Sequence, residues 1–312
     1  MRQSEELKKK FLGSILGSVI GDAWGANYEG LDYRSIQETI QDFSSISGRY
    51  TDDSEMMKGV LESLLFNKGE FNGSHMAQLF VKNFDYTRGY GAGAASILMQ
   101  IRNGQPWNRP AKIAFNNQGS YGNGAAMRIC PAALLYHTDL VQLQQIVKKI
   151  SMITHTHQLG IEGAILQAAA VALATQKDPE TINQKEFVEK LLKLSLSPIY
   201  KQKLVKVKDF LDNPPTVDII IQELGVNITA PGSVPMAIFN FLNSPFDFRN
   251  VLFSSITYGG DTDTIACMAG AIVGAFLGVD EIPMYWIQRV EDSNFFIKMG
   301  EKLFELFLEK NT

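Results

Sequence analysis

Apolar residues recur every three to four positions along almost the whole chain, and strict alternation of apolar and polar residues is rare. A period near 3.6 residues indicates amphipathic helices, whereas alternation would indicate half-buried strands. The pattern therefore predicts an all-α fold, a compact multi-helix bundle. The predicted helices cover residues 6–24, 55–67, 74–84, 93–102, 125–136, 140–154, 159–175, 184–194, 203–211, 217–223, 234–243, 248–258, 264–277 and 293–308.

Two of the predicted helices are apolar on every face. Residues 163–174 (GAILQAAAVALA) and 266–278 (ACMAGAIVGAFLG) are rich in Ala and Gly. A helix without a polar face is buried, and small side chains allow its neighbours to approach closely. We therefore expect both helices at the centre of the bundle.

The predicted loops are unusual in length and glycine content. Residues 27–49 and 105–124 form long loops, and residues 89–93 form a compact bend. Long loops in a compact domain are usually either functional or disordered. Residues 177–215 alternate Lys and Glu and end in two prolines, which predicts an exposed surface excursion. Because no repeat or linker divides the chain, we expect one domain over residues 1–312.

Composition excludes several classes of protein. Hydrophobic residues make up 45% of the 312 residues, which is enough to build a large core. The net charge is −4 and no basic stripe is present, so duplex nucleic acid is not an expected partner. The longest uncharged apolar segment, residues 265–279, is shorter than the ~20 residues that span a bilayer, so no membrane partner is expected. Cys130 and Cys267 show no CxxC spacing, which indicates a reducing compartment.

Two acidic motifs each precede an apolar helix: YTDDSE at residues 50–55 and GGDTDT at residues 259–264. One interpretation is that the aspartates cap the helix N-termini. However, no Lys, Arg or His occurs in residues 250–288, so Asp261 and Asp263 have no local cation beside a helix predicted to be buried. A buried carboxylate without a partner either protonates or binds a metal. Hard oxygen ligands suit Mg²⁺ or Ca²⁺, so the two motifs together predict a divalent cation site that can hold two ions.

The segment GSYGNG at residues 119–124 offers consecutive backbone amides directly before a predicted helix. Such amides attract anions, which makes the segment a candidate phosphate cradle. It lacks the Lys of a P-loop and the GxGxxG order of a dinucleotide fold, so a plain turn is the alternative. Gly89 and Gly91 predict a second bend. Phe115 and Tyr121 either stack on a ribose or base or belong to the core.

Other chemically capable residues are less informative. His155 and His157 lie in a Thr-His-Thr-His segment at a predicted helix junction, where a structural role is the simpler interpretation. No Ser or Cys with a suitable base nearby supports covalent acyl chemistry. On spacing alone, Glu29 is an acid in a long loop.

With these motifs in place, the sequence resembles the ADP-ribosylhydrolase family, the all-helical magnesium enzymes that include the dinitrogenase-reductase-activating glycohydrolase. The resemblance runs from residue 12 to about residue 286. GSILGSVIGDAWG at residues 13–25 is similar to the opening helix of the family, and the two acidic motifs are similar to its metal motifs. RGYGAG (88–93) and FNNQGSYGNGAAMR (115–128) most resemble the branch that cleaves serine-linked ADP-ribose and poly(ADP-ribose).

The resemblance implies two Mg²⁺ ions as cofactors and assigns roles by position. Its metal ligands are Glu29, Thr51, Asp52, Asp53, Asp261, Asp263 and Thr264. Its substrate-binding residues are Gly89, Phe115, Gly119, Ser120, Tyr121, Gly122, Asn123 and His155. Its catalytic residues are Glu29, a glutamate that moves as substrate enters, together with Asp52 and Asp53, one of which is the general base.

The implied reaction is hydrolysis of the O-glycosidic bond at the anomeric carbon of ADP-ribose. The implied partners are ADP-ribose, ADP-ribosylated proteins and poly(ADP-ribose). Two alternatives are a structural, crystallin-like member of the fold without turnover and an ADP-ribose-binding protein that does not cleave. We expect a monomer in the cytoplasm, with the nucleus as a second compartment.

Overall fold

The computed structural model describes residues 2–177 and 182–311. Within these residues the chain forms 18 α-helices, several short 3-10 turns and isolated β-bridges without any named strand, which confirms the all-α prediction. The helices are α1 (Arg2–Gly25), α2 (Tyr33–Thr39), α3 (Asp52–Phe66), α4 (Gly73–Asn83), α5 (Ala92–Arg102), α6 (Pro110–Asn117), α7 (Gly124–Met127), α8 (Cys130–Leu135), α9 (Leu140–Ser151), α10 (Gln158–Gln176), α11 (Gln184–Leu194), α12 (Pro198–Asp212), α13 (Val217–Leu224), α14 (Val234–Asn243), α15 (Phe248–Thr257), α16 (Thr262–Leu277), α17 (Met284–Arg289) and α18 (Ser293–Asn311). The assignment of one domain to residues 1–312 stays a prediction.

The predicted helix at 125–136 is wrong as a single element, because α7 and α8 are separate. Pro131 lies in the first turn of α8 and has no backbone N–H with which to bond the carbonyl of Met127. The carbonyl oxygen of Met127 instead accepts from the Cys267 thiol at 3.6 Å. The proline therefore ends one helix and starts the next. Cys130 and Cys267 are both buried free thiols.

The expectation of a surface excursion at residues 177–215 is wrong for the part that the structure describes. Helices α11 and α12 pack on the bundle and bury Phe187, Leu191, Tyr200 and Leu204. The lysines and glutamates form the outer faces of these helices. Residues 178–181 lie outside the described residues. Three short helices, α2, α6 and α17, were missed because a run of six to eight residues carries little periodicity.

Helices α10 and α16 lie at the centre, as predicted from their composition. Nearly all side chains of α16 are buried, and α10 is buried over most of its length. Helix α10 is long and apolar enough to cross a membrane, but 78% of its apolar window is buried inside the fold. Packing against other helices therefore accounts for its apolar composition.

Helix α1 packs antiparallel to α16 through a seam of small residues. A methyl group on Gly13, Gly17 or Gly21 would lie within 2.1–2.3 Å of a backbone carbonyl oxygen of α16. The facing positions on α16 are Gly274, Gly270 and Ala266. Because nothing larger than hydrogen fits, the seam fixes the distance and the register of these two helices. The C-terminal end of α1 consequently lies beside the N-terminus of α16.

We predict that Gly17→Ala destabilises the protein by about 2–4 kcal/mol, since the added methyl group forces two backbones apart. Chemical denaturation followed by circular dichroism measures the free energy of unfolding. Gly91→Ala is the matched control, because Gly91 has negative φ and no atom within 4 Å of an added Cβ. Equal stability of the two variants would show that the seam tolerates separation.

Candidate active site

The N-termini of α3 and α16 meet at a cavity of about 360 Å³. Its wall is completed by the loop that follows α1, the first turn of α5, the C-terminal end of α6, and the loop that precedes α7. Twelve of the residues proposed from sequence line it: Glu29, Asp52, Asp53, Gly89, Phe115, Ser120, Gly122, Asn123, His155, Asp261, Asp263 and Thr264. Thr51, Gly119 and Tyr121 are absent from the lining.

Thr51, rather than an aspartate, caps α3, since its hydroxyl accepts from the backbone N–H of Asp53 at 3.3 Å. The carboxylates of Asp52 and Asp53 are therefore not consumed by capping. Asp53 is 2% exposed, and its Oδ1 accepts from the Thr264 hydroxyl at 3.3 Å. Its Oδ2 is buried without a hydrogen-bond partner.

Asp261 occupies the cap position of α16 but makes no side-chain capping bond. Its Oδ2 accepts from the side-chain amide of Asn123, which also donates to the Ser233 hydroxyl at 3.1 Å. Asp263 accepts the backbone N–H of Thr264 at 2.8 Å. Asn123, predicted to bind substrate, therefore also holds one of the predicted metal ligands. The capping interpretation accounts for neither Asp261 nor the free oxygen of Asp53.

Asp22 of α1 is a further site residue, and the sequence reasoning missed it. One carboxylate oxygen accepts from the backbone N–H and hydroxyl of Thr51, at 2.9 and 2.8 Å. The other accepts from the backbone N–H and hydroxyl of Ser54, at 2.9 and 2.6 Å. Burial raises the pKa of Asp22, whereas these four donors favour the ionised form. A lone carboxylate in the apolar helix 13–25 was the available signal, because a buried charge needs partners.

Glu29 follows α1 in an exposed loop that is bonded to the start of α16. The backbone N–H of Gly30 donates to Gly260 O at 2.8 Å, and the N–H of Gly260 donates to Leu31 O at 2.9 Å. These two bonds tie the loop to the residue that precedes Asp261. Carboxylate oxygens of Glu29, Asp261 and Asp263 lie within 4.8 Å of one another.

The carboxylates of the cluster repel one another and have no cationic partner among the described residues. Burial and neighbouring carboxylates raise the pKa of Asp52 to about 8 and raise the pKa values of Asp53 and Asp263 well above the usual range. Burial, followed by Asp261 and Asp22, also raises the pKa of Glu29. None of the ion pairs in the described part of the chain neutralises these groups. Crowded, unpaired oxygen ligands fit a hard divalent cation, which removes the repulsion.

Phe115 is a further lining residue of the cavity. Its ring packs on Gly93, where an added Cβ would come within 2.7 Å of the ring, and the side chain is 54% exposed. Phe115, Asn116 and Asn117 all have φ between 52° and 67°, a region that non-glycine residues rarely adopt. Strained backbone of this kind clusters at ligand sites, and here it presents a flat apolar ring to the cavity.

The GSYGNG segment also contributes to the cavity lining. Ser120 and Gly122 line the cavity, and the Ser120 hydroxyl accepts the backbone N–H of Gly122 at 3.1 Å. Gly119 adopts φ of 74° and packs against Thr156, outside the lining. The Tyr121 ring is 48% exposed and lies 5.3 Å from the ring of His157. Its predicted contact with substrate stays a prediction.

The two histidines have different positions. His155 is buried at the cavity wall, and burial with the nearby Arg128 lowers its pKa to about 3, so it is neutral at physiological pH. Thr154 shares a hydrogen bond with its Nδ1 at 2.7 Å. His157 caps α10, where its Nδ1 accepts the backbone N–H of Leu159 at 3.1 Å. His155 is thus a neutral wall residue, and His157 is structural.

Ile228 is a lining residue that the sequence did not indicate. Its backbone carbonyl accepts the N–H of Asn123 at 3.1 Å, and its side chain is exposed. An isolated isoleucine in a polar loop 105 positions after Asn123 carries no periodic signal. A long-range backbone pairing between Gly122 and Thr229 brings it to the cavity.

The sequence profile of ADP-ribosylglycohydrolases matches residues 3–312. ADP-ribosylhydrolase ARH3 of Danio rerio is 35% identical over 96% of this chain and 90% of its own length. The chain belongs to the ADP-ribosylglycohydrolase family. ADP-ribosylhydrolase ARH3 of Homo sapiens is 35% identical over 90% of the chain and 89% of its own length. Membership confirms the resemblance and the prediction of a glycosyl hydrolase.

A solved structure described as an ADP-ribosylglycohydrolase-related protein complex has the same fold. It superposes with a TM-score of 0.76 at 22% sequence identity, and covers 97% of this chain and 99% of its own. At this identity the likeness concerns the fold. Metal dependence is a property of the family, and the acidic cluster described above is where such a metal fits in this member.

We predict that Asp22→Asn lowers the free energy of unfolding by about 2–4 kcal/mol and weakens Mg²⁺ binding. An amide accepts at one oxygen only, so backbone and hydroxyl donors at the start of α3 lose their partner. Calorimetric titration with Mg²⁺ and denaturant unfolding measure the two effects. Asp247→Asn is the matched control, because Asp247 is an exposed cap of α15, where Asn serves equally well. Unchanged Mg²⁺ affinity in Asp22→Asn would contradict the positioning role.

A second prediction concerns pH. The pKa of Asp52 is about 8 in the folded chain and near 3.9 when unfolded, so the folded state binds more protons between these values. Stability without a divalent cation therefore falls as pH rises from about 5 to 8. Mg²⁺ binds the deprotonated ligands, so its stabilising effect grows over the same interval. Thermal unfolding at pH 5.5 and 8, in chelator or in Mg²⁺, measures this. In the variant Asp261→Asn/Asp263→Asn, Mg²⁺ should stabilise the protein equally at pH 5.5 and pH 8. A pH-independent stabilisation by Mg²⁺ in the wild type would contradict the prediction.

Proposed function

We propose that this protein hydrolyses the O-glycosidic bond between ADP-ribose and serine side chains, and the bonds between the units of poly(ADP-ribose), using two Mg²⁺ ions. One observation carries the proposal. A single cavity is lined by carboxylates that have no cationic partner, by an exposed aromatic ring and by a glycine-rich segment. These parts match a ribose, an adenine and the diphosphate that joins them.

The chain's own residues suggest how the reaction proceeds. The buried Asp53, Asp261 and Asp263 would hold the cations with Glu29, Thr51, Asp52 and Thr264. When bound, these ions supply positive charge that lowers the pKa of a nearby hydroxyl or water.

Asp52 is less deeply buried than Asp53 and borders the cavity beside Gly89, so we assign it as the general base. It takes a proton from water as the water oxygen bonds to the anomeric carbon. The bond from that carbon to the serine oxygen breaks, and the serine oxygen takes up one proton from solvent, which balances the proton that Asp52 accepts and then returns to solvent. The neighbouring carboxylates stabilise the positive charge that develops on the sugar in the transition state.

The experiment is release of ADP-ribose from a serine-ADP-ribosylated peptide, compared in Mg²⁺ and in chelator. We expect turnover in Mg²⁺, loss of turnover in chelator, and a reduction of at least 100-fold in Asp263→Asn. An arginine-linked substrate should not be cleaved. Faster cleavage of the arginine-linked bond would overturn the serine assignment. ADP-ribose binding without release would indicate a non-catalytic reader, and neither binding nor release would indicate a structural member of the fold.

We predict that Phe115→Ala weakens ADP-ribose binding about 5- to 30-fold, because an exposed ring loses its stacking and apolar contact. Binding is measured by calorimetry, and the melting temperature should stay near that of the wild type because the ring is half exposed. Phe66→Ala, at a ring that is 75% exposed and stacks on His75, is the matched control. Equal affinity of the two variants for ADP-ribose would show that Phe115 does not contact the ligand. Tyr121→Ala tests the neighbouring position in the same assay.

A further inference from the structure

A second cavity of about 290 Å³ adjoins the first and shares Glu29 and Gly89 with it. Thr51, a predicted metal ligand, lines only the second cavity. Among the predicted ligands, Glu29 therefore stands between the two cavities, whereas Phe115 and residues of the GSYGNG segment line only the larger one. We call the second cavity the acceptor cleft and define it by Asn27, Ser47, Arg49, Thr87 and Arg88 together with the shared residues.

A glycosidic bond has a sugar on one side and a leaving group on the other. With ADP-ribose in the larger cavity and its anomeric carbon at the carboxylates, the leaving side chain extends past Glu29 and Gly89. We infer that the acceptor cleft binds the peptide segment that carries the modified serine, and that Arg49 makes an acidic segment the preferred one. This inference rests on the proposed function.

Arg49 is the cation available to a bound peptide. Its side chain is 52% exposed and donates from Nη2 to the Thr87 hydroxyl at 2.6 Å. The same nitrogen forms a long ion pair with Asp85 at 3.9 Å, which is beyond hydrogen-bond distance, and the Asp85 side chain is itself 45% exposed. The hydrogen bond to Thr87 orients the guanidinium, and the remaining N–H groups are free to meet a carboxylate.

Arg88 has a different role in the same cleft. Its guanidinium forms a two-point pair with Glu291, at 2.7 and 2.9 Å, and also donates to the backbone carbonyl of Tyr50 at 2.8 Å. Its charge is neutralised, and only 11% of its side chain is exposed. Arg88 is thus part of the cleft floor, which leaves Arg49 to select the charge of the ligand.

The lining favours a peptide over a second nucleotide. Tyr50 is the aromatic residue among the described residues that line the cleft, and it is 2% exposed. One face of its ring is covered by Arg88, whose guanidinium carbon lies 4.3 Å from the ring centre. No ring is therefore presented to a base here, in contrast to Phe115 in the larger cavity. Asn27 donates its side-chain amide to the carbonyls of Ala23 and Trp24, which leaves its Oδ1 to accept from a peptide backbone. The Ser47 hydroxyl accepts the N–H of Arg49 and can still donate.

The test uses two serine-ADP-ribosylated peptides that differ only in flanking residues, Asp in one and Lys in the other. We expect the wild type to prefer the acidic peptide through a lower KM. Arg49→Glu should raise KM for the acidic peptide roughly three- to tenfold and reverse the preference, while kcat changes little. Arg49→Lys should keep the preference. Arg102→Glu, the same charge change at an exposed position on α5, is the matched control.

Binding of free ADP-ribose tests the larger cavity apart from the acceptor cleft, because ADP-ribose has no acceptor peptide. Its affinity should be the same in all variants. If the wild type cleaves both peptides equally and Arg49→Glu does not alter this, the inference fails while the proposed function stands. If Arg49→Glu impairs only cleavage of poly(ADP-ribose), the cleft takes a neighbouring ADP-ribose unit and the peptide assignment fails. If the wild type releases no ADP-ribose from either peptide, the proposed function fails.

Discussion

The close packing of α1 against α16 is the constraint on which the site depends. The glycine seam leaves no room for side chains between the two backbones, so the end of α1 has one position beside the start of α16. From that position Thr262 donates its hydroxyl to the carbonyl of Gly25 at 2.8 Å, and Asp22 accepts four hydrogen bonds from the start of α3. One helix thus sets the relative position of both acidic motifs. Separating the seam would separate the predicted ligands.

The carboxylate cluster destabilises the folded chain in the absence of a cation, and packing elsewhere in the fold must offset this. Neighbouring carboxylates and burial both oppose ionisation of Asp53 and Asp263. The surrounding donors are few and neutral, chiefly Asn123 and Thr264. A carboxylate with a purely structural role is expected to pair with a lysine or an arginine. Glu291 is paired in this way with Arg88. The site is therefore built for a ligand of high positive charge.

The sequence contained enough information to predict the helical class, the central helices and the two acidic motifs. Composition and spacing suffice for these features, because an apolar helix must be buried and an unpaired carboxylate beside it needs a partner. The break at Pro131 could also be predicted from sequence. Proline has no backbone N–H to donate to the carbonyl four residues earlier, so a helix is interrupted there. Asp22, like Asp261, is an acidic residue in or beside an apolar helix. It does not belong to a recognisable motif, so it was not identified from sequence.

Other features depend on contacts between distant segments, which one sequence does not display. Ile228 reaches the cavity through backbone pairing with the GSYGNG segment. The left-handed backbone at Phe115 also has no local signature, because nothing in its neighbours requires φ of 52°. The division of the site into two cavities follows from the position of Glu29, whose loop is fixed by bonds to Gly260.

The most direct measurement is anomalous diffraction from crystals of the protein soaked in Mn²⁺, a hard divalent cation that replaces Mg²⁺ and scatters anomalously. We expect two strong peaks between the N-termini of α3 and α16, each within about 2.5 Å of oxygen atoms of Asp53, Asp261 or Asp263. Crystals of Asp261→Asn/Asp263→Asn should lose at least one peak while the positions of α1 and α16 are unchanged. The absence of peaks there in the wild type, or their persistence in the double variant, would contradict a metal centre built on these carboxylates.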